Sequence, residues 1–454
     1  MPLRLAAPFA FLALLAALSL WLGALPARVY CLDPYVFYDV AWRMLHGQLV
    51  HHDIYSPLGP VAYLPHCIGL RLQGHDGFSL GRLSVSLPFL IPGILLAARL
   101  RPAAGIPISF LLPLLALAPY PLGFSSEQSG QPMFYNRLAY LILITILLAV
   151  LDESRKWHAY AGAALAVLLF LKVSYFLVAL ALIVLARPKS RHWPAAFAVA
   201  FLSLSPLIGF DYPSWFHDLR MAAQVKTAGI REQPLILALP DAALSLATLL
   251  AVAWPSGRVL LLSTAALSDL ALLATNTQPQ SLPLFLVAIL LLAAPLFTRR
   301  PPAAALVLLS FSTGILFYRE TNGFLQAALH RNDPQPQACA ATLSSGLHLL
   351  NAHTKPTEKV AALAFLNPFP YLQHRPPTQT GAAWLHEGFT FSEKLYPPPE
   401  KVISDATAIL VTTDPALRPK EAEKLRRLYR PYLESNFEEV AENPSWTLLL
   451  KRTP

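Results

Sequence analysis

Residues 31–74 read CLDPYVFYDVAWRMLHGQLVHHDIYSPLGPVAYLPHCIGLRLQG, and they decide the architecture. The stretch carries Asp33, Asp39 and Asp53, the rings of Tyr35, Tyr38, Trp42, Tyr55 and Tyr63, and the imidazoles of His46, His51, His52 and His66. Yet it lies between two apolar runs, Leu5–Ala27 and Leu83–Ala98. Pro34 is placed to open a helix and Gly47 to end it, which predicts a helix running to His46. Its Phe37, Ala41, Met44 and Leu45 can rest on a bilayer surface or on other helices. Pro60–Leu72 is apolar enough for a second such helix. The segment is therefore expected to be a long outer loop, residues 28–79, packed at a membrane surface.

Composition agrees with that setting. Of 454 residues, 55% are hydrophobic and 13% charged, about half the charged share of a soluble protein. Of the 61 charged side chains, 29 fall in the last 137 residues. A polytopic membrane domain at 1–320 is expected, followed by a polar C-terminal domain at 321–454. The net charge of +9 is a poor nucleic-acid signal, because basic residues between spans set topology. The 3 cysteines exclude a dense disulfide framework.

Working outward, Leu5–Ala27 reads as the first span with the N-terminus inside. Leu83–Ala98 returns to Arg99 and Arg101, Ile106–Leu122 goes out, and the loop FSSEQSGQPMFYNR (124–137) leads into Leu138–Leu151. Tyr160–Ala186 has basic clusters on both sides, Arg155 with Lys156 and Arg187 with Lys189 and Arg191. Two short helices turning near Lys172 keep both clusters inside, with Lys172 at the outer tip. Then follow Trp193–Ile208, a polar loop at 211–234, Leu235–Ala253, Val259–Ala274, Leu282–Phe297 and Ala303–Phe317. About 11 crossings result, with the C-terminal domain outside. In that domain VAALAF (360–365), AILVTT (408–413) and WTLLLKR (446–452) read as strands and EAEKLRRLYRPYLESNF (421–437) as a helix, a small α/β unit. The fold class is thus mainly α, a transmembrane helix bundle with an α/β outer domain.

Several polar residues fall on the expected outer side. Asp33 directly follows the first span, where a carboxylate can act as a general base or simply favour a helix N-terminus. Asp39 has the same two roles open. The histidine and aspartate spacing forms no zinc signature; a divalent ion held by an aspartate and a phosphate fits better. Arg137 enters the head of a span, where it can snorkel or meet a phosphate. Lys172 interrupts VLLFLKVSYF, where a lysine is costly unless it is paired or at the surface. Glu127, Tyr135, Asn136, Asp269, Asn276, Gln278, Arg220, Lys226, Arg231, Arg319 and Glu320 complete the set. Cations and aromatics over an apolar bundle suit a ligand with a lipid tail, a phosphate and a sugar.

Asp33, Tyr38, Ala41, Leu45 and Gly47, then Tyr55, Pro57, Gly59 and Pro60, resemble the first loop of the polyprenyl-phosphate-sugar-dependent integral membrane glycosyltransferases. These are of GT-C type and include the PMT/ArnT-like and rhizobial lipopolysaccharide-core transferase-like branches. The resemblance spans residues 5–320. It implies a multi-helix bundle, a first outer loop with two interfacial helices and a soluble outer domain. It also implies a multi-pass protein of the cytoplasmic (inner) membrane that moves a sugar from a polyprenyl-phosphate donor to a cell-envelope glycan, lipid or protein. The family's loop acid carries over to Asp33. Where many members have a second acid beside it this chain has Pro34, which leaves Asp39 to fill that role or not. The cationic phosphate contacts carry over to Lys172 and Arg137. Tyr38, Tyr55, Tyr135, Asn136 and Asn276 are the candidate substrate contacts, with Asn276 able instead to cap a helix. No cofactor is implied, a divalent cation excepted. A transporter or flippase of a lipid-linked substrate, or a non-catalytic envelope assembly protein, are the competing readings. The inner halves of the spans carry no polar pathway, which lowers the first of these.

Overall fold

The computed structural model describes residues 2–23, 32–74, 77–99, 102–118, 134–152, 154–186, 192–229, 314, 317–318, 320–333, 337–413 and 419–452. In chain order the helices begin α1 (Pro2–Leu22), α2 (Asp33–Leu45), α3 (Leu64–Gln73), α4 (Phe78–Ala97), α5 (Pro102–Leu117), α6 (Phe134–Leu151), α7 (Arg155–Leu171), α8 (Val173–Ala186), α9 (His192–Leu204) and α10 (Tyr212–Gly229). The strands are β1 (Ile54–Tyr55), β2 (Val360–Leu363), β3 (Gly381–Ala382), β4 (Ala408–Thr412), β5 (Phe437–Glu442) and β6 (Trp446–Lys451). The chain divides into two compact units. One is Met1–Leu25, Asp76–Leu204 and Glu232–Asn332; the other is Pro26–His75, Ser205–Arg231 and Asp333–Pro454.

The first unit is a helix bundle. Leu5–Leu22 and Phe78–Ala97 are long and apolar enough to cross a membrane, and the described residues hold a third crossing only if His192–Ile208 and Tyr212–Val225 are one bent span. Shorter apolar helices include Ile108–Leu117, Phe134–Val150 and Val173–Val184. The described residues therefore show two or three crossings, not 11, and the expected spans from Leu235 to Ala303 lie outside them. Inside the bundle, prolines are accommodated by neighbours. Pro92 has no N–H to offer the Pro88 carbonyl, and the Tyr160 hydroxyl donates to that carbonyl instead, at 2.9 Å. Small residues set the helix spacing. A Cβ on Gly93 would meet Leu112 of α5 at 2.9 Å and Thr145 of α6 at 3.1 Å. A Cβ on Gly162 of α7 would lie 2.0 Å from the Trp193 carbonyl of α9, so those two backbones touch. The helix break expected near Lys172 is present: α7 ends at Leu171, Lys172 is extended (φ −161°, ψ 116°), and α8 starts at Val173.

The second unit joins the first loop to the C-terminal segment. A four-stranded sheet runs β2-β4-β6-β5, with β2 and β4 parallel and the remaining pairs antiparallel. One face of it packs Leu363, Ile409, Val411 and Leu449 against Leu425 and Tyr429. The helix Gln337–His353 lies on β6, where the Trp446 indole donates to the Thr342 carbonyl at 2.8 Å. The helix expected at 421–437 is instead two, Pro419–Leu428 and Arg430–Asn436. Pro431 in the first turn of the second marks the break. The chain then turns into β5, whose mostly exposed FEEVAE is an edge strand. Strand β1 of the loop pairs in parallel with β3, Ile54 opposite Gly381 and Tyr55 opposite Ala382. The polar loop expected at 211–234 is helical through Gly229. It buries Trp215, Asp218, Met221, Ala222 and Val225, a helical spacing that makes one face.

Candidate functional site

In the bundle, the expected YNR loop residues are the first turn of α6, which fixes their directions. Lys172, at the unwound residue between α7 and α8, donates from Nζ to the Asn136 amide oxygen at 3.1 Å. Its ammonium lies 5.2 Å from the Tyr135 ring centroid and 5.3 Å from that of Tyr175, within cation–π range. The Tyr175 hydroxyl reaches the same Asn136 oxygen at 3.4 Å. Three of the expected residues, Tyr135, Asn136 and Lys172, thus form one cluster.

Arg137, next on α6, is almost fully buried. Nη1 donates to the Leu115 carbonyl at 3.1 Å, and both terminal nitrogens donate to Glu320 Oε2 at 3.2 Å. Sequence reasoning missed its neighbour Arg82, which directly precedes the Leu83–Ala98 run. Arg82 sits in the first turns of α4, 4% exposed. It donates from Nη1 to the Ala118 carbonyl at 3.1 Å and from Nη2 to Ser19 Oγ at 2.5 Å, and its guanidinium lies 5.5 Å from the Phe78 ring centroid. All three partners are neutral, and the charge of Arg137 bears on it. A buried guanidinium with neutral partners and a like-charged neighbour favours an anion. The signal that marked Arg137, an arginine at the head of an apolar run, marks Arg82 as well.

In the second unit, Asp33 is the first residue of α2, partly exposed, with Pro34 after it. A carboxylate there is favoured by the helix dipole. Asp39 is deeply buried and takes the Arg43 Nε at 2.8 Å; burial pushes its carboxyl up, against the pull of Arg43. Tyr38 stacks on Tyr371 with centroids 5.1 Å apart, and the buried Tyr55 hydroxyl donates to the Thr390 carbonyl at 2.7 Å. Asn276, Gln278, Asp269, Glu127 and Arg319 lie outside the described residues.

The adjacent histidines each take an aspartate of the α10 segment. His51 Nδ1 meets Asp218 Oδ2 at 3.0 Å and His52 Nδ1 meets Asp211 Oδ2 at 2.8 Å. His51 is fully buried at φ 74°, a conformation uncommon outside glycine. Burial lowers its pKa, against the opposing effect of Asp218. The hydrogen bond from His52 holds the Asp211 carboxyl down at about 2. Lys401 also approaches, its Nζ 3.8 Å from Asp218 Oδ1. Among the described residues no three His, Cys, Asp or Glu side chains converge as metal ligands would.

No family model matches the chain, and no curated protein matches it. Solved structures do. The crystal structure of ArnT from Cupriavidus metallidurans in the apo state aligns with a TM-score of 0.51 at 14% identity, over 97% of this chain and 97% of that one. The chain resembles ArnT in fold. A second ArnT structure from the same organism, bound to undecaprenyl phosphate, aligns with a TM-score of 0.46 at 12% identity over 98% and 97% of the two chains. At these identities the likeness to ArnT is one of architecture. It extends through the bundle, the first loop and the C-terminal segment alike.

Proposed function

We propose that the chain transfers a sugar from a polyprenyl-phosphate donor to a cell-envelope acceptor at the outer face of the cytoplasmic membrane. The observation that carries this reading is the group of cations at the heads of α4 and α6 and at the α7–α8 break. Lys172 is held against Asn136 and two rings, and Arg82 has only neutral partners. The ArnT-like fold and the loop resemblance supply the reaction class.

In this reading Asp33 removes the proton from an acceptor hydroxyl as that oxygen bonds to the anomeric carbon. The bond from that carbon to the phosphate oxygen breaks, and polyprenyl phosphate leaves carrying the extra negative charge. Lys172 and Arg137, joined by Arg82, offset that charge. Tyr135, Asn136 and Asn276 contact the sugar or its phosphate. Asp39 is deeply buried and engaged by Arg43; the base is assigned to Asp33 on the loop resemblance. Tyr38 and Tyr55 are held by Tyr371 and Thr390 and serve by shaping the loop. The full bundle makes about 11 crossings. The C-terminal domain lies outside.

Glycan analysis of cells carrying Asp33→Asn beside wild type tests the reading. At equal protein level the envelope glycan should lose the transferred sugar. An unchanged glycan would remove Asp33 from catalysis.

A further inference from the structure

The second unit contains a recess that the transferase reading does not use. It lies where β2 ends and the chain continues through Ala364–Asn367, and it encloses about 270 Å³ of empty space, part of it open to solvent. Arg43, Asn367, Trp384 and Phe365 line it, with Ala382 of β3. The carboxyl end of a parallel strand is a frequent place for ligands in α/β sheets.

Three polar groups at this recess have unused hydrogen-bonding capacity. Arg43 donates from Nε to Asp39 at 2.8 Å and from Nη1 to Gln48 at 3.3 Å and to the Thr378 hydroxyl at 3.2 Å. Nη2 makes no hydrogen bond among the described residues. Asn367 donates from Nδ2 to the Val360 carbonyl at 3.1 Å, while its Oδ1 is buried with no partner. The indole N–H of the partly buried Trp384 donates to nothing among the described residues. Gly381 makes room for this arrangement. A Cβ there would lie 2.8 Å from Arg43 Nη1, 2.9 Å from Cζ and 3.1 Å from Nη2, so any side chain would displace the guanidinium.

The complement of these groups narrows the ligand. Two donors and one acceptor remain. A carboxylate or phosphate only accepts, and would set its charge against the Asn367 oxygen while Asp39 already balances Arg43. An ammonium would face the guanidinium. A neutral group that both accepts and donates fits, and adjacent hydroxyls on a carbon ring do so while offering C–H faces to Trp384 and Phe365. The recess has room for about one water-sized group, so a single hydroxyl or hydroxymethyl enters and the ring stays at the mouth. We propose that this recess binds the hydroxylated edge of a saccharide. The proposal stands apart from the transfer chemistry, which is measured by a separate assay, so either can fail alone.

The test uses the full chain in lipid nanodiscs prepared without glycosidic detergent. Saturation-transfer NMR is recorded with methyl glycosides of glucose, galactose, mannose, N-acetylglucosamine and xylose, and with acetate, inorganic phosphate and acetamide as contrasts. At least one glycoside should bind. Its affinity should fall about fivefold or more in Asn367→Ala, the loss of one good hydrogen bond, and also in Trp384→Leu, a milder change at a partly exposed side chain. Binding of no glycoside overturns the proposal, as does glycoside binding that neither variant weakens. Equal or tighter binding of acetate or phosphate makes it an anion site, and of acetamide an amide site; each also overturns it.

Discussion

Each unit buries one arginine against a carboxylate and another against neutral groups. In the loop and C-terminal unit Arg43 is paired with Asp39 and Lys359 with Asp405, His51 and His52 hydrogen-bond Asp218 and Asp211, and the buried Arg375 is held by the Gln373 amide oxygen and the Lys355 carbonyl. In the bundle, Arg137 has a carboxylate, but Arg82 is surrounded by a serine hydroxyl, a backbone carbonyl and a phenyl ring. A paired charge is a fastener, because removing one partner strands the other. A charge held by neutral dipoles keeps its attraction for an incoming anion. An arginine paired with a carboxylate, as Arg43 or Arg137, is thus fixed by its partner, whereas one held by neutral groups, as Arg82 or Arg375, keeps capacity for an anion.

The largest stability effect should come from breaking a pair. Arg43→Leu leaves Asp39 buried and uncompensated and should cost about 3–5 kcal/mol, read by denaturant unfolding of the full chain. Asp39→Leu with Arg43→Leu should recover much of that loss. If Arg82→Leu costs as much as Arg43→Leu, the contrast between a paired and a neutrally held arginine fails.

A smaller effect is expected from packing in the bundle. Gly162→Ala forces α7 from α9, because the new methyl would overlap the Trp193 carbonyl; overpacking of this kind costs about 1–3 kcal/mol, visible as a lower melting temperature. Gly47→Ala, where nothing lies within 4 Å of the added carbon, should act only through its positive φ, by about 1 kcal/mol.

The smallest is a pH effect in the loop unit. The folded pKa of His51 lies below its unfolded value of about 6.5. The unfolded chain therefore binds the proton more readily, and stability present above that pH is lost as pH falls below it. Asp211, depressed to about 2, contributes stability above its unfolded pKa of about 3.9 that is lost as pH falls toward 2. The loop unit should lose hydrogen-exchange protection on acidification. His51→Asn, which tolerates the left-handed backbone, should flatten the part of that loss near pH 6. An unchanged profile would show that His51 does not contribute.

The same contrast explains what the sequence revealed. Local signals were legible. Pro34 and Gly47 bound α2, and a lysine inside an apolar run marked the break between α7 and α8. The apolar runs around Ala361, Leu410 and Leu448 became β2, β4 and β6. What was hidden depends on partners distant in sequence. Strand β1 is two residues long and exists because β3 pairs with it more than three hundred residues later. Strand β5 carries three glutamates, and its first residue, Phe437, reads in the sequence as the end of a helix; its place at the sheet edge beside β6 makes it extended. At the candidate site, Lys172 stood out as a lysine inside an apolar run and Asn136 as a polar residue beside the second outer loop. That Asp39 would be held by Arg43 follows i, i+4 helical spacing, and this signal was overlooked.

The central claim is tested most directly by the rate at which purified chain releases polyprenyl phosphate from a polyprenyl-phosphate-linked sugar in the presence of acceptor. Asp33→Asn and Lys172→Gln should each lower that rate about a hundredfold or more while the unfolding midpoint stays near that of the wild-type chain. Wild-type rates in both variants would contradict the account.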